Sequence, residues 1–118
     1  MYFFHIPAMP YRKKRERVFV KSITGQQAQL SFISLDPGEV TNHHHPHEQI
    51  GYVLSGQVEL TIDGHVKTLG PGDAYYIPQN TPHGFKVLTE QRLECLEVFS
   101  PPKEENRTDP YLIQHGSF

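Results

Sequence analysis

An all-β barrel or sandwich is the fold class this sequence predicts, and three observations predict it. Apolar residues recur with a period of two along most of the chain, the pattern of half-buried strands. Turn signals separate these runs at intervals of about 8–12 residues. No stretch before residue 100 carries a convincing helical period.

The 118 residues have the length of one domain. At that size roughly two-thirds of the unfolded surface is buried on folding, so a single core is feasible. A net charge of −2 argues against general polyanion binding. The one cysteine, Cys95, cannot form a disulfide within a monomer, which fits a reducing compartment. The N-terminus, "MYFFHIPAMPYRKKRER", places aromatic residues before basic ones, the reverse of a secretory signal. No run reaches the ~18 apolar residues of a membrane span. These features predict a cytoplasmic protein.

In chain order, the basic run Arg12 to Arg17 reads as a solvated loop or strand edge, because charged edges discourage pairing between molecules. It lacks the stacking surface or basic helix face that nucleic acid would need. Strand-like segments follow: "RVFVKSI", "AQLSFISL", "IGYVLSG", "VELTID", "HVKTLG", "DAYYIP", "GFKVL" and "RLECLEVF". In "VELTID", Val58, Leu60 and Ile62 share one face, and Glu59, Thr61 and Asp63 the other. Turns fall at Thr24-Gly25, Asp36-Pro37-Gly38, Ser55-Gly56, Asp63-Gly64, Gly70-Pro71-Gly72 and between Pro78 and Pro82. Asp63-Gly64 suits a type I′ hairpin, which needs two positive φ angles. The tail from Ser100, rich in proline and charge, reads as an extended arm, with Tyr111 to Ile113 as a candidate last strand.

Four of the eight histidines lie between His43 and His47, in "TNHHHPHEQIGYVLSG". The cluster is internal and interrupted by Pro46, unlike an expression tag. On a strand, residues two apart point the same way, so His43 with His45 and His45 with His47 are both possible ligand pairs. Gln49 on the next strand offers an amide oxygen. Strand parity does not choose between the pairs.

Residues 38 to 56 resemble the first cupin motif: a glycine, His-x-His, a carboxylate three or four residues on, then a closing glycine. In that frame His43 and His45 are the pair, Gln49 takes the carboxylate position and Gly56 closes the motif. Residues 72 to 83 resemble the second motif through Gly72, Pro78, Asn80 and His83, with Asn80 in place of a glycine. Asn tolerates the left-handed conformation that position needs. The resemblance implies a jelly-roll β-barrel of one domain over residues 1–118, with its barrel at about 28–100. It implies a divalent transition metal on His43, His45, Gln49 and His83. Three imidazoles and an amide oxygen suit Zn, Ni, Fe, Mn or Cu about equally. A neutral ligand set leaves the ion its full charge, which favours Lewis acidity toward an anion. His44 is expected to point outward and His47 to lie at the surface or near the site.

The wider wording, "HPHEQIGYVLSG…ELTIDG…LGPGDAYYIPQNTPHG…LEVFSPPKE", is similar to small single-domain cupins of pectin and alginate breakdown. Those convert 4,5-unsaturated monouronates to linear ketonized sugars. This likeness implies a small carboxylated-sugar substrate, a homodimer, and roles for Glu97, Phe99 and Lys103. Glu97 stands where the relatives carry an aspartate, and Lys103 where they carry an arginine. Strand parity puts Leu93, Cys95, Glu97 and Phe99 on one face, so a barrel-lining face would make Glu97 an interior carboxylate. The expected roles are proton transfer for Glu97, packing on the sugar ring for Phe99 and pairing with the sugar carboxylate for Lys103. A metal-dependent cupin dioxygenase and a non-enzymatic ligand-binding module are the alternative functions.

Overall fold

The structure, a computed structural model, describes residues 2–108, so the segment Tyr111 to Ile113 lies outside it. Ten strands account for nearly all of the regular structure: β1 (Arg12–Arg15), β2 (Val18–Thr24), β3 (Gln29–Leu35), β4 (Val40–His43), β5 (Glu48–Ser55), β6 (Val58–Ile62), β7 (His65–Leu69), β8 (Ala74–Ile77), β9 (His83–Val87) and β10 (Leu93–Ser100). Short 3-10 turns at Ile6–Ala8 and Glu104–Asn106 flank them. All pairings are antiparallel. One sheet runs β1-β2-β3-β10-β5-β8 and the other β4-β9-β6-β7. This is the all-β, two-sheet architecture that the period of two predicts, arranged as the jelly roll that the cupin resemblance implies.

Burial alternates with a period of two, although on β5 it runs against the apolar pattern. On β5, Gln49, Gly51 and Val53 face inward while Ile50, Tyr52 and Leu54 stay exposed. On β10, Leu93, Cys95, Glu97 and Phe99 are all buried. The core between the sheets joins Val18, Leu35, Val53, Val58, Leu60, Leu69, Tyr75, Ile77, Phe85, Val87, Leu93 and Cys95. Burying each of these larger aliphatic side chains stabilises the fold by about 1.5–3 kcal/mol. Along β10 the inner face changes from apolar Leu93 and Cys95 to Glu97 and then Phe99, so the chemistry gathers at one end.

The turns follow their residues. Asp63 and Gly64 take φ of 48° and 81°, as a type I′ hairpin between β6 and β7 demands. Asn80 takes φ 58°, the left-handed conformation expected of it. Its N–H donates to the His45 carbonyl at 2.8 Å, so the turn before β9 holds the histidine loop.

Two strands carry no apolar alternation. β1 is basic and pairs with β2 at the edge of its sheet, with a bulge between Lys13 and Arg15. β4, with sequence VTNH, is mostly exposed and is held by pairing to β9. As far as Thr108, the arm after β10 folds back instead of extending. The Ser22 hydroxyl donates to the Asn106 carbonyl at 2.6 Å, and the Thr108 hydroxyl to the Ser22 carbonyl at 3.0 Å. The Gln29 amide donates to the Lys103 carbonyl at 3.0 Å. These bonds fix Lys103 against the barrel.

Candidate metal centre

Two strands and one loop bring the histidines together. His43 ends β4 and His83 opens β9, and the two are register partners. His45 follows on the loop before β5. Their ring centroids lie 4.4 Å (His43–His83), 4.8 Å (His45–His83) and 5.1 Å (His43–His45) apart. One ligand nitrogen from each lies within 4.8 Å of the others, so the three could hold a metal ion. His45 and His83 are buried, and His43 is the most exposed.

The hydrogen bonds fix which nitrogens are free. A backbone carbonyl only accepts, so His83 Nδ1–H donates to the Thr81 carbonyl at 2.8 Å and His45 Nδ1–H to the His47 carbonyl at 3.1 Å. In a neutral ring the other nitrogen then bears a lone pair. His83 Nε2 is buried with no partner. His45 Nε2 lies 3.1 Å from Gln49 Oε1. Gln49 Nε2 donates to Glu97 Oε2, which turns the amide oxygen toward His45. Two lone pairs then face one another, an arrangement that a shared cation satisfies. Burial, reinforced by Lys103 and the neighbouring rings, lowers the His43 pKa to about 3 and the His45 pKa to about 4. His83 is lowered as well, chiefly by burial. All three rings are neutral at neutral pH, as metal ligands must be. The donor set fits a divalent transition metal.

Beside this cluster lies a cavity of about 60 Å³, lined among others by His43, Gln49, Tyr75, Glu97, Phe99 and Lys103. Glu97 is 5% exposed and on the inner face, so strand parity identifies it correctly as an interior carboxylate. Burial raises its pKa, opposed by hydrogen bonds from Tyr75 and Gln49. Phe99 stands edge-on to His45 with centroids 6.0 Å apart. Lys103 is 5% exposed, with Nζ 5.3 Å from the centre of the Phe99 ring. His44 is exposed. The His47 backbone orients His45, while its ring packs edge-on to His45 and Phe99.

The sequence reading missed three contributors. The Tyr75 hydroxyl donates to Glu97 Oε2 at 2.5 Å. Its signal was parity: Tyr75 shares a strand face with Ile77, whereas Tyr76 points out. Gly51, between Glu97 and Tyr75 in the sheet register, leaves the room that the Tyr75 ring fills. Lys14, from the run read as solvated, lines the cavity with its side chain only 16% exposed. Cys95 also reaches the cavity, but burial pushes its thiol up to about 12, which leaves it unreactive.

A jelly-roll barrel with three histidines converging beside an interior cavity defines a class, and the comparisons agree on it. Residues 31–99 match the cupin domain model, and the chain belongs to the cupin family. It is similar to the pectin degradation protein KdgF of Dickeya dadantii (strain 3937), 38% identical over 66 residues. That alignment covers 55% of this chain and 59% of the relative, so the chain spans little more than half of that relative's length. Among solved structures, KdgF from a Halomonas species superposes with a TM-score of 0.81 at 30% identity, covering 87% of this chain and 97% of that one. An RmlC-like cupin from Shewanella frigidimarina NCIMB 400 also gives 0.81, at 22% identity, covering 89% of this chain and 95% of the other. That likeness shows the fold alone.

Proposed function

We propose that this protein is a metal-dependent enzyme that opens and ketonizes 4,5-unsaturated monouronates. The observation that carries the reading is Glu97, an interior carboxylate bonded both to Gln49 of the candidate metal set and to Tyr75, at the wall of the cavity beside that set. Similarity to KdgF proteins, one of them described as a pectin degradation protein, supports the substrate class.

The substrate ring is an enol ether with a free anomeric hydroxyl. In the reaction the anomeric O–H loses its proton, the ring C–O bond breaks, and the enol so released becomes a ketone by gaining a proton on carbon. No proton is gained or lost overall. A divalent metal on His43, His45, Gln49 and His83 would supply Lewis acidity toward the substrate oxygens. Glu97 takes the anomeric proton and returns one to carbon, a double duty that a pKa raised by burial favours. Tyr75 and Gln49 hold that carboxylate in place. Phe99 packs on the sugar ring, and Lys103 pairs with the sugar carboxylate. Only the reactants rearrange, so no redox-active metal is required.

The protein is further proposed to act in the cytoplasm as a homodimer. No helix among the described residues is long and apolar enough to cross a membrane. The outer face of β10, β5 and β8 exposes Val98, Ile50 and Tyr76 as direct cross-strand neighbours, with Tyr52 and Leu54 beside them. A contiguous exposed apolar patch marks an interaction surface.

The test follows loss of the unsaturated uronate's ultraviolet absorbance with metal-loaded protein. Glu97→Gln is expected to slow turnover by about 10²–10⁴-fold with metal content unchanged. Absence of any acceleration over buffer by the wild type would sink the reading.

A further inference from the structure

Buried lysines are rare, because an ammonium group loses its hydration on burial. The cavity wall of this barrel carries one, Lys103, and beside it Lys14, which is largely enclosed. Lys103 is 5% exposed and the Lys14 side chain 16%. They come from opposite ends of the chain. Lys103 lies on the arm after β10. Lys14 lies in the β1 bulge, where Lys13 pairs with Phe19 and Arg15 with Val18, leaving Lys14 without a register partner. Its side chain takes the face opposite Lys13 and Arg15, in the ordinary alternation of a strand.

One carboxylate spans the two ammonium groups. Glu105 sets one oxygen 3.4 Å from Lys14 Nζ and the other 3.0 Å from Lys103 Nζ. Lys14 also donates to Oδ1 of buried Asn106 at 2.9 Å. The Glu105 side chain is itself 56% exposed. An ion pair with so exposed a carboxylate is weak, so Glu105 can turn to water at little cost. A single ammonium is a point charge that binds a carboxylate without bidentate geometry. Two of them, one per oxygen, restore it. The same wall carries His43, Gln49 and Glu97, so a carboxylate seated here has its ring beside the candidate metal centre.

We propose that Lys14 and Lys103 together form the recognition site for a ligand carboxylate, and that Glu105 occupies it as an internal stand-in that the ligand displaces. That the ligand is a sugar acid rests on the proposed function; the anion site itself rests on the two lysines and Glu105. Arg15 does not compete for the ligand, because it is committed to Glu39 at 2.8 Å.

Calorimetry on the full-length, metal-loaded protein tests this with D-galacturonate, a sugar acid without the enol ether, against D-galactose, its neutral counterpart. Galacturonate binds and galactose does not. Lys14→Met weakens galacturonate binding about tenfold, the loss of one charge-assisted hydrogen bond. Glu105→Gln, which removes the competing charge, tightens it roughly 3- to 10-fold. Equal affinity for the two sugars overturns the proposal, as does a Glu105→Gln variant that binds no tighter. Should Lys14→Met fail to fold, the Glu105→Gln arm decides alone. Turnover has no part in this readout. A protein that fails to process unsaturated uronates yet shows both variant effects keeps the anion site and loses the proposed reaction. An active protein without these effects does the reverse.

Discussion

Gly51 sits between Glu97 on β10 and Tyr75 on β8, and the site depends on its missing side chain. A Cβ there would lie 2.0 Å from the Tyr75 ring. Gly51→Ala must push that ring away and break its hydroxyl's bond to Glu97. The expected cost is about 1–3 kcal/mol by chemical denaturation, with a lower kcat. A wild-type midpoint and kcat in the variant would contradict the packing described. His83 makes the opposite kind of test. Its Nε2 is buried without a partner, so the side chain stabilises the fold chiefly when a metal is bound. A chelator should lower the Tm of the wild type but not of His83→Ala, and elemental analysis should find no bound metal in the variant. These residues differed in legibility. His83 was readable from its motif, whereas Gly51 was not, because its role depends on a ring contributed by the neighbouring strand.

At the scale of the element, β1 differs most from its sequence reading. Its four residues, RKKR, have the composition of a solvated edge, and Lys13 behaves as one, 55% exposed in a pair with Glu16. Lys14 takes the other face of the strand. Burial first, and then the charge of Lys103, lowers its pKa from 10.5 to about 8, with Arg15 adding to the effect and Glu105 opposing it. The unfolded chain keeps this proton up to about 10.5, so between these values it binds more protons than the folded chain, and stability rises with pH. Below pH 8 both forms are charged and the penalty is full; above 10.5 both are neutral and it vanishes. Wild-type stability relative to Lys14→Met should therefore rise by on the order of 2–3 kcal/mol across that window. Paired denaturation curves at several pH values measure it, and a constant difference would mean that Lys14 is not buried as a charge. β10 is the opposite case. Strand parity put Glu97 and Phe99 on one face with Leu93 and Cys95 before any pairing was known, and the structure shows that this face is the inner one.

For the whole molecule, one face of the larger sheet closes the barrel and the other is left with an apolar patch. Light scattering should give a mass of about two 13.6 kDa chains. Ile50→Lys, which puts a charge at the centre of the patch, should shift the protein to a single chain while leaving the fold intact. A dimer that survives that substitution would place the contact elsewhere.

By itself the sequence determined the fold class, because a period of two with regular turns permits only packed or closed sheets. It also determined the candidate metal set, once the cupin motifs selected His43 and His45 over His45 and His47. Tertiary structure decided the rest. It showed that Gln49 turns its oxygen to His45 because Glu97 accepts from its nitrogen. It brought Tyr75 to Glu97, and it joined Lys14 to Lys103 through Glu105. Each of these is a contact between residues distant in the chain, brought together by the pairing of strands and by the arm packed against them. Local pattern encodes which face a residue takes on its own strand, but not which residue will stand opposite it.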